Sequence, residues 1–256
     1  MRLSNQMEEN QKNIKLRVII ALTGDNFSQA FLLSWTEALY TLINSNRYQI
    51  IISNGKSSFV PFARMQTLGL NVLRGKNQKP FEGLDYDIYV TIDSDIIFTP
   101  NQLIELIECA QIHPVVGGYY MMQNNSNFAT VKEWDTSYFL KNGTFEFLKA
   151  TDLEPFIKEY QKQLTELQNT TFIPPPQFIK VAYTGLGFFA CRKQVFDKLT
   201  YPFFNQDLQY LKGEDGKEII DMCSEDVAFC KNIQAAGFDI MLNTRLRVGH
   251  EKRMIL

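Results

Sequence analysis

No CxxC pair occurs in this chain, and its four cysteines, Cys109, Cys191, Cys223 and Cys230, sit among apolar or helical neighbours. At 256 residues that spacing argues against a disulfide framework and for reduced core thiols in a cytoplasmic protein. No polybasic block is present either. Lys and Arg number 26 against 28 Asp and Glu, the formal charge is −2, and the sequence offers no global attraction to nucleic acid. No long apolar run exists: the start, "MRLSNQMEENQKNIKLRVIIALTG", has a charged lead-in and then about six apolar residues, too few for a signal h-region or a membrane span. An integral membrane segment is therefore not expected. Without a secretory signal, the sequons at Asn26, Asn124, Asn142 and Asn169 read as accidental. Internal repeats and low-complexity linkers are also missing, so a single domain is expected.

What is present is a large core composition, 45% apolar with 13% aromatic residues. "LRVIIALTG" reads as a buried strand, followed by "SQAFLLSWTEALYTLI" with helical periodicity behind the capping candidates Asn26 and Ser28. "YQIIISNG" is a second strand, "SSFVPFARMQTLG" a short helix bearing Arg64, and "DIYVTIDSD" a third strand. "TPNQLIELIECAQ" is a helix with Pro100 in its first turn, and "PVVGGYYMM" a fourth strand. Strands alternating with helices predict an α/β fold with a mostly parallel central sheet covered by helices. The chain divides into a polar lead-in (1–14), a first half (15–124) and a second half (125–256) of the same domain. Beyond residue 124 the pattern weakens. "TDLEPFIKEYQKQLTEL" reads as an amphipathic helix, and "NQDLQYLKGEDGKEIIDM" as a polar, flexible connection. "SEDVAFCKNIQAAG" is a helix with Gly237 as its C-cap, and "FDIMLNTRLRVGHEK" supplies one or two closing strands.

The stretch "YVTIDSDIIF" carries the chemistry. In extended backbone Asp93 and Asp95 project from the same face, about 6 to 7 Å apart, with Ser94 turned the other way. Two such carboxylates stay ionised at low cost when solvated or when a cation lies beside them. A second triplet, Asp85 with Asp87, precedes the strand in a loop, whereas Asp93 and Asp95 end it. In open α/β sheets ligands gather outside the carboxyl ends of strands, which favours the second pair as a metal and phosphate site.

Three features in order, Asp93-Ser94-Asp95 at a strand end, Ser224-Glu225-Asp226 at a helix start and His250 in "RVGHEK", resemble the GT-A glycosyltransferases, particularly their family-2-like members, over residues 15 to 252. The stretch 125–180 carries none of the resemblance. It implies a Rossmann-like nucleotide-binding domain and an enzyme moving a hexose or pentose from a nucleotide-sugar donor, a UDP-sugar, to a glycan acceptor with inversion. By the same resemblance Asp95 ligates Mn²⁺ or Mg²⁺, Asp93 binds the ribose or a metal-bound water, and His250 completes the protein side of the metal site. Such a cation would neutralise charge on the leaving diphosphate, and a histidine among carboxylates suits Mn²⁺. The resemblance also makes Asp226, beside Glu225, the base that takes the acceptor's proton. Thr23, Gly24 and Asp25 fall where the nucleoside binds, Arg64 where a basic residue contacts base or phosphates, and Gly185 and Gly187 where backbone approaches the donor sugar.

Bland readings stand beside these. Glu225 and Asp226 suit a helix N-terminus with Ser224 as its cap. The two glycines can mark a bulge. His113 is read as a helix-end residue. Trp134 can stack on an acceptor sugar or belong to a small satellite core. Three rival functions remain: a sugar nucleotidyltransferase, against which "ALTGDNFS" lacks a Gly-rich basic loop; a retaining transferase of the same fold; and a non-catalytic glycan-binding or scaffolding module.

Overall fold

A computed structural model describes residues 15–167, 174–213 and 216–252. The lead-in 1–14 and the sequon at Asn169 lie outside them. The first strands are β1 (Leu16–Thr23), β2 (Tyr48–Gly55) and β3 (Ile88–Asp93). Short β4 (Ile96–Ile97) follows, then β5 (Val115–Tyr119), β6 (Asn127–Val131), β7 (Phe147–Lys149), β8 (Phe178–Val181), β9 (Tyr183–Thr184) and β10 (Phe188–Arg192). The chain closes with β11 (Leu208–Lys212), β12 (Glu218–Met222), β13 (Ile240–Arg247) and β14 (Gly249–His250). The helices are α1 (Gln29–Asn44), α2 (Val60–Thr67), α3 (Pro100–Ile112), α4 (Thr136–Asn142), α5 (Ala150–Glu166), α6 (Lys193–Lys198) and α7 (Glu225–Ala235).

Seven strands form the central sheet in the order β2-β1-β3-β10-β5-β13-β8. β2, β1 and β3 pair in parallel, as do β5 and β13, while β10 and β8 run against their neighbours. Five of the seven strands thus share one direction, and the expected α/β domain with a mostly parallel, helix-covered sheet is what forms. Side-chain alternation splits the strands between two cores. Val18, Ile20, Leu22, Ile88, Val90 and Ile92 meet Phe31 and Leu42 of α1 and Leu103 and Leu106 of α3 on one face. Ile19, Ala21, Tyr89, Phe189 and Cys191 pack on the other with Val195 and Phe196 of α6 and Phe229 and Ile233 of α7.

Local chemistry sets the helix starts. Ser28, rather than Asn26, caps α1, its hydroxyl accepting from the Phe31 amide at 3.1 Å. Thr99 and Gln102 form a reciprocal capping box around Pro100 at the start of α3. Gln102 also donates to the Arg247 carbonyl at 2.7 Å, tying α3 to the end of β13 and to the short strand β14 beyond it.

One stretch departs from its reading. Within 205–222, read as a polar, flexible connection, Leu208–Lys212 and Glu218–Met222 (β11 and β12) pair as antiparallel strands. The period-2 pattern there is masked by charged residues, and the pair buries only one face, with Leu211 and Ile219 against the core. Trp134 follows its core reading. It packs on Phe145 and Tyr183 and donates from its indole nitrogen to Gln234 at 2.8 Å. His113 caps the carboxyl end of α3 with its ring against Phe178.

Candidate functional site

The carboxyl ends of β2, β1 and β3 lie in register, Gly55 beside Thr23 and Thr23 beside Asp93. The Ser94 amide donates to the Thr23 carbonyl at 3.0 Å, and the Asp93 amide to the Gly187 carbonyl at 3.0 Å. The segments around 23–25, 93–95 and 185–187 therefore meet at one edge, although they are far apart in the chain. Gly24 adopts a φ of +135°, and a Cβ there would lie 2.4 Å from the Ser94 hydroxyl oxygen, so this crossing requires glycine. Asp25 stands exposed with Asn26 as its neighbour. Thr23 is buried, yet its hydroxyl has no hydrogen-bond partner, a state shared among the described residues only by that of Tyr86. Such an orphan at a strand end calls for a ligand or a water.

Asp93 and Asp95 do not act as a pair. Strand parity puts Tyr89, Thr91 and Asp93 on the face covered by α2, and there the Arg64 guanidinium meets them. Its Nη1 and Nη2 donate to the two Asp93 oxygens at 3.0 and 3.1 Å, and Nε donates to Glu225 at 3.2 Å. Nη1 also lies 3.4 Å from the Thr91 hydroxyl. β3 stops at Asp93 and the chain turns at Ser94–Asp95, so the expectation of one continuous extended run through Asp95 is corrected. Asp95 instead faces the C-terminal strand, where β4 and β14 pair His250 with Ile96. Its Oδ2 takes the Lys252 ammonium at 2.6 Å and lies 3.2 Å from His250 Nε2.

Arg64, expected to reach a donor's base or phosphates, is only 3% exposed and engaged by carboxylates. Burial works against its charge, but Asp93 and Glu225 outweigh it and keep the guanidinium protonated. Glu225 is pushed above the ordinary carboxylate range by burial and by neighbouring Asp226, against the pull of Arg64. Burial also pushes Asp95 upward, but His250 and Lys252 prevail and hold it down at about 2.

Among the described residues no three His, Cys, Asp or Glu side chains stand together as a metal cage. With both oxygens on Arg64, Asp93 does not fit as a direct ligand beside Asp95 and His250. Those two do fit a cation. His250 Nδ1 lies 2.7 Å from the Met121 carbonyl, an acceptor only, so that nitrogen carries a proton. With Nδ1 turned to Met121, Nε2 is the nitrogen that faces Asp95, and it is the one through which His250 would reach a cation, oriented by its outer partner.

Asp226 lies at the start of α7, as its sequence position suggested, but Ser224 does not cap: its hydroxyl donates to Asp226 Oδ1 instead of accepting a helix amide. The same oxygen accepts the Val227 amide at 2.9 Å, and Oδ2 accepts the Tyr183 hydroxyl at 2.7 Å. Burial, followed by the charge on Asp226, pushes the Tyr183 phenol well above its ordinary range, so it acts as a donor. Gly185 and Gly187 make room for Tyr120, whose hydroxyl oxygen would lie 2.2 and 2.8 Å from a Cβ at each. That oxygen accepts the Gly187 amide at 3.1 Å, and the ring packs edge-on against His250 with centroids 4.8 Å apart. Tyr120, Tyr183 and Lys252 are the site residues that sequence reasoning missed. The two tyrosines read as ordinary strand residues, and only the fold brings Lys252 to Asp95.

The other triplet is accounted for without a ligand. Arg17 binds Asp85 at 2.6 Å and Asp87 at 2.8 Å, which holds Asp87 below its ordinary range.

No family model matches this chain, and no curated protein matches it in sequence. Two solved structures follow a similar backbone course. One is the crystal structure of A197 from STIV, at 13% identity and a TM-score of 0.44, over 94% of this chain and 96% of that one. The other is the crystal structure of GalNAc-T7 with UDP, GalNAc and Mn²⁺, at 12% identity and a TM-score of 0.45. It aligns with 96% of this chain but only 44% of its own length, so this chain spans less than half of that protein.

Proposed function

We propose that this protein is a metal-dependent glycosyltransferase that moves a sugar from a UDP-sugar to a glycan acceptor with inversion. The observation that carries the reading is the Asp95–His250 pair, set by the contact of His250 with the Met121 carbonyl, at the sheet edge where the Ser94 amide bonds to the Thr23 carbonyl. Asp95 and His250 would hold Mn²⁺ or Mg²⁺, which as a Lewis acid would neutralise charge on a leaving diphosphate. Thr23, Gly24 and Asp25 would bind the nucleoside, with the Thr23 hydroxyl gaining the partner it lacks. The Ser94 backbone would fix the distance between that loop and Asp95. Gly185 and Gly187 would let the donor-side wall close down on Tyr120.

Asp226 is assigned the proton. The acceptor oxygen attacks the anomeric carbon, the bond from that carbon to the diphosphate oxygen breaks, and its electron pair leaves with the phosphate. The hydroxyl proton passes to Asp226, whose orientation is fixed by Tyr183 and the Val227 amide. Arg64 takes a positioning role in place of donor contact, joining Asp93 to Glu225 and so fixing the strand end relative to the start of α7.

A second reading has one observation in its favour. Both aspartates already carry a protein cation, Arg64 on Asp93 and Lys252 on Asp95, so the charges balance without metal. In that reading the protein binds glycan without turnover. Incubating it with UDP-sugars, glycan acceptors and Mn²⁺ decides between the two: the proposed enzyme releases UDP and yields product of inverted anomeric configuration, and a binding module releases none.

A further inference from the structure

Residues 56–81 contain Lys56, Arg64, Arg74, Lys76 and Lys79 and not one acidic residue, in a protein whose formal charge is −2. Arg64 turns inward to Asp93, which leaves four cations on the surface. Arg74 pairs with Glu82, while Lys56, Lys76 and Lys79 have no ion pair among the described residues.

Between these cations the chain raises an apolar tip. Val72 and Leu73 are 78% and 90% exposed, the least protected large hydrophobic side chains described. The tip is held rigidly. Gln78, itself buried, accepts the Asn71 amide at 2.9 Å and donates to the Gly75 carbonyl at 3.0 Å, and Asn71 caps the short 3-10 turn through the Leu73 amide at 3.0 Å. Holding two aliphatic side chains in water this way has no value to the fold, and a pre-ordered tip loses little entropy on insertion.

The surroundings continue the pattern. Val72 shares a cleft of about 650 Å³ with Phe59, Phe62 and Met222. Met222 belongs to the outer face of the β11–β12 strand pair, where Leu208 opposes Met222 and Tyr210 opposes Ile220, all exposed. Asp221 falls on the opposite side by strand parity, and Glu218 is paired with Lys212. Protruding aliphatic tips, an amphipathic tyrosine and a cationic rim fit the interfacial zone of a bilayer with anionic headgroups better than they fit a flat protein surface.

We infer that the face built from residues 56–79 and the exposed side of strands β11 and β12 docks this protein peripherally on anionic membrane, with Val72 and Leu73 inserted below the headgroups and Lys76 and Lys79 on the phosphates. The contact is with one leaflet, and among the described residues no helix is long and apolar enough to cross a membrane. The inference does not depend on sugar transfer.

Co-sedimentation of the full chain with phosphatidylcholine vesicles, with and without phosphatidylserine, tests it. The parent pellets with the anionic vesicles and is released by high salt. A Val72→Asp, Leu73→Asp double variant and a Lys76→Glu, Lys79→Glu double variant each weaken binding at least about tenfold. Leu33→Asp, at an exposed position of α1 on the opposite side of the sheet, leaves it unchanged. Both double variants alter exposed residues, and circular dichroism verifies their fold. The inference is overturned if the parent ignores anionic vesicles, or if neither double variant weakens binding. It is equally overturned if light scattering shows a dimer that the Val72→Asp, Leu73→Asp variant dissociates, since a second copy then covers this face.

Discussion

Arg64 on α2 and Asp93 at the end of β3 form a two-bonded ion pair, 3.0 and 3.1 Å, with the guanidinium almost wholly buried. Removing the cation leaves buried Glu225 and partly buried Asp93 without their shared counter-charge. Arg64→Met is expected to cost about 3 kcal/mol or more of folding stability, because an uncompensated buried charge is far costlier than a missing pair. Arg64→Lys is expected to recover little of this, since an ammonium cannot span both carboxylates. Urea unfolding of the three proteins measures it, and a loss below about 0.5 kcal/mol in Arg64→Met would remove the positioning role.

The Asp95–His250 pair makes a contrasting prediction for the two aspartate triplets. Asp95→Ala is expected to abolish Mn²⁺-dependent UDP binding, and His250→Ala to weaken it with the fold intact. Asp87→Ala removes a partly exposed carboxylate that accepts from the Arg17 side chain and backbone amide, and it is expected to leave UDP binding unchanged. Calorimetric titration of UDP with and without Mn²⁺ checks all three.

Asp95 also predicts a pH dependence. Its folded carboxyl sits at about 2, below the ordinary 3.8. A lowered carboxyl contributes stability that is fully present above the unfolded value and is lost as the pH falls from there through about 2. Replacing Lys252 by Ala removes one of the two groups that hold it down. The Asp95 carbon resonance of Lys252→Ala is therefore expected to titrate at higher pH than in the parent, and an unchanged midpoint would remove Lys252 from the site.

Gly185 and Tyr120 give a packing prediction. A Cβ at Gly185 would meet the Tyr120 hydroxyl at 2.2 Å, so Gly185→Ala is expected to destabilise by about 1 to 3 kcal/mol. Tyr120→Phe in the same chain removes the clashing oxygen and is expected to restore part of the loss, leaving the edge of the aromatic ring as the next contact. A double-mutant cycle in thermal melts reads the coupling, and purely additive effects would contradict the packing described.

Much of the scaffold was legible in the sequence because burial on both faces writes itself as mainly apolar strands, as in β1 and β3, and because Ser28 and Pro100 mark helix starts. The β11–β12 pair was not, since a strand pair with one face exposed and charged residues interspersed imitates a polar loop. The site was legible in part. Asp93, Asp95, Asp226 and His250 stand out as residue types at element ends, but their partners do not. Arg64 meets carboxylates 29 and 161 positions away, and Tyr183 meets Asp226 across 43, separations that no local pattern encodes. The inward turn of Arg64 follows from strand parity at Tyr89, Thr91 and Asp93, a signal present in the sequence once the covering helix is known.

Asp226 is proposed to accept a proton during sugar transfer. Held as a helix-start acid alone, Asp226→Asn would cost about 0.3 to 1 kcal/mol and leave turnover intact. As the base, the same change is expected to lower kcat by about 10² to 10⁴ while UDP-sugar affinity persists, since the base acts on the acceptor. The direct test measures donor affinity and the Mn²⁺-dependent transfer rate on the parent and on Asp226→Asn. The parent is expected to transfer, and the variant to lose at least about a hundredfold at unchanged donor affinity. Transfer by Asp226→Asn within a few-fold of the parent would contradict it, as would a parent that binds glycan and never turns over.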